Sequence, residues 1–339
     1  MAHPYRPSER ANALAADTLS AALQVISEHA EAVDRDGRFP VEGIAALAQA
    51  GLLGLCVPTS HGGLGEGPRT FATLTEGIGR VCASTAMVFV MHTAATQVLV
   101  TSATLADRDA VLRQIATGKH LTTLALSEVG SRSQFWAPVS RMEEHGGQLQ
   151  TSARKSFVTS AGSADSYVSS AQMPGAESPL QSTLYLARKG APGSKVTGRF
   201  DGLGLRGNDS APVAFEGMPV AKGDLLTPQG GGADAMLGVI LPWFNVGTSA
   251  MAHGLCQAAL AATIAHLQGT GFAHSGAALR DLPNLRSRVA DMSVTTEQSR
   301  ALLGHTLDGL EVPTRRLPCG CCSAGSPRSK RRIESPTSP

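Results

Sequence analysis

ALSEVGSRS (residues 125–133) and, downstream, KSFVTSAGSADSYV (155–168) decide how this chain is read. The second mixes Ser, Thr, Val and aromatic residues and the first Ser with Leu and Val, both with Gly punctuation, the composition of strands and strand edges rather than of helices. Around them, from about 121 to 228, the runs LTTLAL, SYVSSAQ and TLYLAR are bounded by Gly, Pro, Asn and Asp. This region is expected to be a domain of short antiparallel strands.

On either side the period changes. Leu19, Leu23, Ile26, Ala30 and Val33 recur every three or four residues and share one helical face. A second helix is expected over 41–55, opening after Pro40 and stopping before Val57-Pro58. The turn HGGLGEG (61–67) follows, then a third helix from about 69 to 100. After TPQGGGADAM the helical period returns over 237–269. It returns again in a stripe of Leu282, Leu285, Val289, Met292, Leu303 and Leu310, across the link GTGFAHSG. The expected fold class is therefore α+β: a helical domain over 1–120, a middle antiparallel β-domain over 121–228, and an incomplete C-terminal helical bundle over 229–311. The tail 312–339, rich in Pro, Ser, Arg and Cys and without periodicity, is expected to be disordered.

A chain of 339 residues exceeds one hydrophobic core, so two or three packed units are expected. Lys plus Arg (29) nearly balance Asp plus Glu (27), leaving +2, which predicts no strong pull toward nucleic acid or membrane. Cys56, Cys82 and Cys256 sit in apolar runs and read as small buried hydrophobes, not disulfide partners. The N-terminus lacks the apolar core of a signal peptide, and the richest apolar run, 81–100, contains His92, Gln97 and several Thr. A soluble, cytoplasmic protein is expected.

Four segments in one order carry a family resemblance. LAQAGLLGLCVPTSHGGLG (47–65) is similar to L-x-x-x-G-L-x-G-x-x-x-P-x-x-x-G-G-x-G, ALSEVGSRS to ALTEPGAGS, KSFVTSAGSAD to K-x-W-I-T-N-G/A, and GLRGNDSAPVAFEGMPVAKGDLL (204–226) to MGxRGSxTxxLxFxxxxVPxxNLL. From about 39 to 311 the chain resembles the acyl-CoA dehydrogenases and the flavin monooxygenases of the same superfamily. The resemblance implies FAD as cofactor and α,β-dehydrogenation of an acyl thioester, with hydride passing to the flavin. An electron-acceptor flavoprotein or O2 would take up the electrons, and the intact family member would be a homo-dimer or tetramer. It implies that Leu124, Ala125, Leu126 and Ser127 hold the isoalloxazine edge and that Phe157 stacks where the family often has Trp. Val158 and Thr159 would contact the ring, and Ser133 would approach the cofactor phosphate or the thioester tail. A strand edge with Ser127 and Thr159 supplies hydrogen-bonding groups to such a ring without adding charge.

Other motifs point elsewhere and fail on context. GLGLRG (202–207) matches G-x-G-x-x-G but precedes a turn and a strand, so a turn role is expected. HGGLG has no accompanying G-x-S-x-G elbow, which argues against a hydrolase. CGCC (319–322) lacks the fourth ligand and the spacing of a zinc site. His92 reads as a packed, hydrogen-bonded helical histidine rather than a catalytic one.

The family's catalytic carboxylate is not visible. Its alternative position, on the first helix of the C-terminal domain, falls at about Phe244, and the family's R-x-x-F-G segment is matched by FAHSG (272–276). The abrupt change at the tail is what a shifted reading frame or a truncation would produce. A monooxygenase on the same fold, which needs no thioester base, is the second reading, and an inactive remnant with a basic tail RSKRR (328–332) is the third.

Overall fold

The computed structural model describes residues 3–131 and 134–311. The expected tail and its CGCC run lie outside the described residues, as does Ser133.

The chain begins with α1 (Glu9–Ala13), whose first turn is capped by the Ser8 hydroxyl accepting from the Ala11 N–H at 3.1 Å. A π-helical turn leads into α2 (Ser20–Asp36), which buries Leu19, Ile26 and Val33 as the periodicity requires. α3 (Val41–Gln49) is shorter than expected because Gly51 adopts φ +70°, a left-handed stop, before a single 3-10 turn over Leu52–Gly54. The expected third helix is two helices, α4 (Pro68–Val81) and α5 (Ala83–Thr101). Cys82 between them is extended, at φ −149° and ψ 108°, yet its carbonyl accepts from the Ala86 N–H and so caps α5. α6 (Arg108–Ala116) closes the helical layer.

The sheet comprises β1 (Thr122–Ala125), β2 (Arg141–His145), β3 (Gln148–Val158), β4 (Ser166–Gln172), β5 (Ser182–Arg188), β6 (Ser194–Val196) and β7 (Ala211–Val220). The order is β1-β4-β2-β3-β7-β6, with β5 on β4. The sheet is mixed rather than purely antiparallel: β1 runs parallel to β4, with Thr122 opposite Ser166 and Ala125 opposite Ser169. The β2–β3 hairpin lies in the connection between them, long enough to return the chain in the same direction.

α7 (Gly232–Ala235) and a π-helical turn precede two long helices, α8 (Leu241–Gly269) and α9 (Pro283–Glu311). α4 and α8 cross in backbone contact. A Cβ on Gly254 would stand 2.3 Å from the Glu76 carbonyl oxygen, and one on Gly79 would stand 2.7 Å from that of Met251. A buried polar cluster fastens the N-terminus to α9. Arg300 donates to Glu76 at 2.7 Å, the Tyr5 hydroxyl meets His253 Nδ1 at 2.6 Å, and His253 Nε2 meets Ser299 Oγ at 2.7 Å.

Three apolar cores result: one among the helices including α8, one between α5, α6 and one face of the sheet, and one inside the curled sheet. Two expectations fail here. Cys56 and Cys82 are buried, but Cys256 is exposed. The stripe on the last helix is buried only at its C-terminal end, at Leu303 with Leu307, while Leu310 is exposed and Leu285, Val289 and Met292 are half-buried.

Candidate flavin and substrate site

The two runs that open the sequence reading lie side by side. After β1 the chain turns along the end of β3: the Ser156 N–H donates to the Ser127 carbonyl at 2.8 Å, and Glu128 bridges to Lys155. β3 bulges between Lys155 and Val158 and presents Phe157 outward at φ +55°. A bulky side chain at positive φ is strained, by about 1–3 kcal/mol. Phe157 is 67% exposed, although its ring stacks on Phe200 at 4.9 Å and 14°.

Beside it lies a cavity of about 90 Å³ lined by Met91, Leu124, Leu126, Ser127, Phe135, Ser156, Phe157, Ile240 and Phe244. Four of the expected residues, Leu124, Leu126, Ser127 and Phe157, thus meet at one cavity wall. Ala125 and Val158 do not: strand alternation turns both into the core inside the sheet, and each is fully buried. Thr159 is buried with its hydroxyl 3.3 Å from that of Ser210.

The sequence reading missed the most heavily bonded group near the cavity. Glu128, inside ALSEVGSRS, accepts at Oε1 from Lys155 Nζ and from the Ser140 hydroxyl, both at 2.5 Å. At Oε2 it accepts from the Val139 and Ser140 N–H groups, both at 2.7 Å. Lys155 also donates to the Ser170 carbonyl at 2.6 Å. Burial pushes the Glu128 carboxyl up, but Lys155 and the Ser140 hydrogen bonds outweigh it and hold it below the usual range. Burial pulls the Lys155 ammonium down against the opposing pull of Glu128. The pair ties the strand-edge segment at 127–129 and the far side of its loop at 139–140 to β3 and β4. Opposite charges, Glu128 in one strand-edge run and Lys155 in the other, were the available signal.

Glu128 cannot serve as a proton acceptor, because both oxygens are occupied and its side chain is 3% exposed. Among the described residues, none lining the cavity is Asp, Glu or His. Phe244, the position matching the family's alternative carboxylate, forms part of the wall. His92 is fully buried, its Nε2 3.1 Å from the Leu53 carbonyl and its Nδ1 accepting from the Thr122 N–H at 3.1 Å, so it is structural, as expected. Residues 202–207 form turns rather than a helix start, as expected for the GLGLRG run.

The architecture is a helical domain, a curled mixed sheet and a second helical layer, with an exposed aromatic beside a strand-edge cavity. Residues 8–119 match the acyl-CoA dehydrogenase N-terminal domain. The cyclohex-1-ene-1-carbonyl-CoA dehydrogenase of Geobacter metallireducens is 29% identical over 283 residues, 83% of this chain and 73% of that protein. An acyl-CoA dehydrogenase of Bacillus subtilis is 26% identical over 304 residues, 88% of this chain and 78% of that protein. The solved butyryl-CoA dehydrogenase of Megasphaera elsdenii superposes with a TM-score of 0.78 at 20% identity, covering 87% of this chain and 79% of that one. The chain thus carries an acyl-CoA dehydrogenase N-terminal domain over residues 8–119 and is similar to acyl-CoA dehydrogenases over most of its length.

The residues present fit a flavin. Phe157 offers an exposed aromatic face to a planar ring, and Leu126 and Ser127 offer an apolar, hydroxyl-bearing and uncharged edge beside it.

Proposed function

We propose that this protein is an FAD-dependent acyl-CoA dehydrogenase whose flavin lies against Phe157, with its polar edge toward Leu126 and Ser127. When bound, the flavin supplies the two-electron acceptor for hydride removed from the acyl chain. The residues lining the cavity bind and orient, and the α-proton passes to a base that is not among them. Ser127 orients by hydrogen bonding without introducing charge, and the Glu128–Lys155 pair holds Ser127 in register. Met91, Phe135, Ile240 and Phe244 exclude water from the reacting carbons. The observation that carries the reading is the meeting of Leu124, Leu126, Ser127 and Phe157 at one cavity. Similarity to acyl-CoA dehydrogenases favours dehydrogenation over oxygen activation, and an electron-carrying flavoprotein is the proposed acceptor.

The test is spectroscopic. Purified protein reconstituted with FAD is titrated anaerobically with acyl-CoA thioesters of graded size. Bleaching of the oxidised flavin band by at least one thioester is the expected result. A flavin that stays oxidised with every thioester overturns the assignment.

Phe157→Gly separates fold from cofactor binding. Relief of positive-φ strain, about 1 kcal/mol, offsets the lost stacking on Phe200, also about 1 kcal/mol, so the unfolding midpoint should hardly move. Flavin affinity should fall about tenfold, near 1.4 kcal/mol, as read by fluorescence titration. Unchanged affinity would remove Phe157 from the site.

A further inference from the structure

Away from the flavin cavity, α8 and α9 enclose a second groove of about 400 Å³, a volume suited to a small molecule. It carries a relay that no local motif records, because the members come from three distant segments. The Ser299 Oγ of α9 lies 2.7 Å from His253 Nε2 of α8, and His253 Nδ1 lies 2.6 Å from the Tyr5 hydroxyl. Tyr5 and His253 are buried, whereas Ser299 is exposed to the groove. A bond that only tied the two helices would need neither an accessible oxygen nor a cavity beside it. Glu76 stands by Tyr5, held by Arg300 and by Gln257, each at 2.7 Å. Burial first, and then the Glu76 carboxylate, push the Tyr5 phenol up, so it keeps its proton. With that proton turned toward Glu76, the Tyr5 oxygen accepts from the His253 Nδ1–H, and Nε2 is left to accept from the Ser299 hydroxyl. Burial holds the His253 imidazole below its ordinary value, with Glu76 opposing, Arg300 adding and Glu297 opposing. The ring is therefore neutral at pH 7 and free to take a proton.

We propose that Ser299 is a nucleophile and His253 its base, forming a second active site that hydrolyses carboxylic esters bearing an apolar acyl group. Val246, Leu302 and Leu303 line the groove and give that group an apolar bed. Ser249, one turn before His253 on α8, supplies a hydroxyl donor for the carbonyl oxygen, and Asn245 supplies a side-chain amide one turn further on. Ser299 Oγ attacks the ester carbonyl carbon while its proton passes to His253 Nε2. The bond to the alcohol oxygen breaks, and the alcohol leaves with that proton. Water then attacks the acyl-Ser299 ester, giving one proton through His253 to the Ser299 oxygen and releasing the carboxylic acid. Tyr5 and Glu76 are positioning residues: they fix the tautomer and offset the charge of the imidazolium. None of these steps uses a flavin, so the proposal stands independently of the dehydrogenase reading.

The test is covalent labelling of the full chain with a fluorophosphonate, read by peptide mass spectrometry, alongside hydrolysis of p-nitrophenyl butyrate. Ser287, exposed on the same helix, is the internal control. Ser299 is expected to label about 10²-fold faster than Ser287, and His253→Gln should bring it close to the control rate. Ser299→Ala should abolish ester turnover with unchanged circular dichroism. Tyr5→Phe keeps the ring but loses the accepting oxygen, so labelling should slow about tenfold and its half-maximal pH should fall as the imidazolium loses support. Labelling of Ser299 no faster than of Ser287, labelling indifferent to His253→Gln, or ester turnover that survives Ser299→Ala would each overturn the proposal. Should His253→Gln fail to fold, the ratio of the two serines in the unsubstituted protein decides.

Discussion

Lys155→Met is expected to destabilise the protein by about 3–5 kcal/mol, because it leaves the Glu128 carboxylate buried without its counter-charge. Hydrogen bonds from Ser140 and Val139 remain, but they were arranged for a paired charge, and the Ser170 carbonyl loses its donor. Glu128→Gln/Lys155→Met removes both charges and should recover a large part of the loss, since the desolvation penalty disappears with them. Chemical denaturation of the two variants measures the difference. Flavin content should follow it, because the pair holds the segment bearing Ser127. If the single and double variants unfold at the same denaturant concentration, the pair is not coupled and this account is wrong.

The second expected result is loss of stability on mild acidification. Burial holds the His92 imidazole down at about 4, against hydrogen bonding to the Leu53 carbonyl, with His120 lowering it further and Asp165 opposing. The unfolded chain's histidine titrates near 6.5, the ordinary value for an exposed imidazole. Above that pH both states hold it neutral and its contribution is fully present. As pH falls from 6.5 toward 4, the unfolded state takes up a proton that the folded state refuses, and stability drops, by on the order of 3 kcal/mol at the lower end. His120, also lowered mainly by burial, adds to the same trend. His92→Gln should flatten the part of the profile between pH 4 and 6.5 at some cost in stability at neutral pH. An unaltered pH profile in that variant would show that His92 is not the source.

The parts of the fold that could be read in advance are those governed by local pattern. The face of α2, the strand runs of the sheet and the turn at 202–207 depend on spacing and on Gly or Pro within a few residues. The parts that could not be read depend on distant partners. Parallel pairing of β1 with β4 requires the intervening hairpin to swing the chain around, and nothing within Thr122–Ala125 records that. The split at Cys82 answers to packing of α4 against α8 rather than to a breaker residue. Within the site, Leu124 and Leu126 share one side by strand alternation, whereas Ser127 reaches the cavity because the chain turns after β1. The same alternation removes Ala125, which an undivided motif had included. Glu128 and Lys155 are 27 residues apart, and only the folded sheet edge brings them together. The left-handed backbone at Phe157 was hidden because an aromatic residue in a strand run looks ordinary until the bulge is seen.

The crossing of α4 and α8 at Gly79 and Gly254 has a mechanical consequence. α8 is a beam clamped over its first half and free beyond the clamp. Phe244 sits within the clamped span, so the cavity wall is held by the buried half of α8, while none of residues 255–269 is buried.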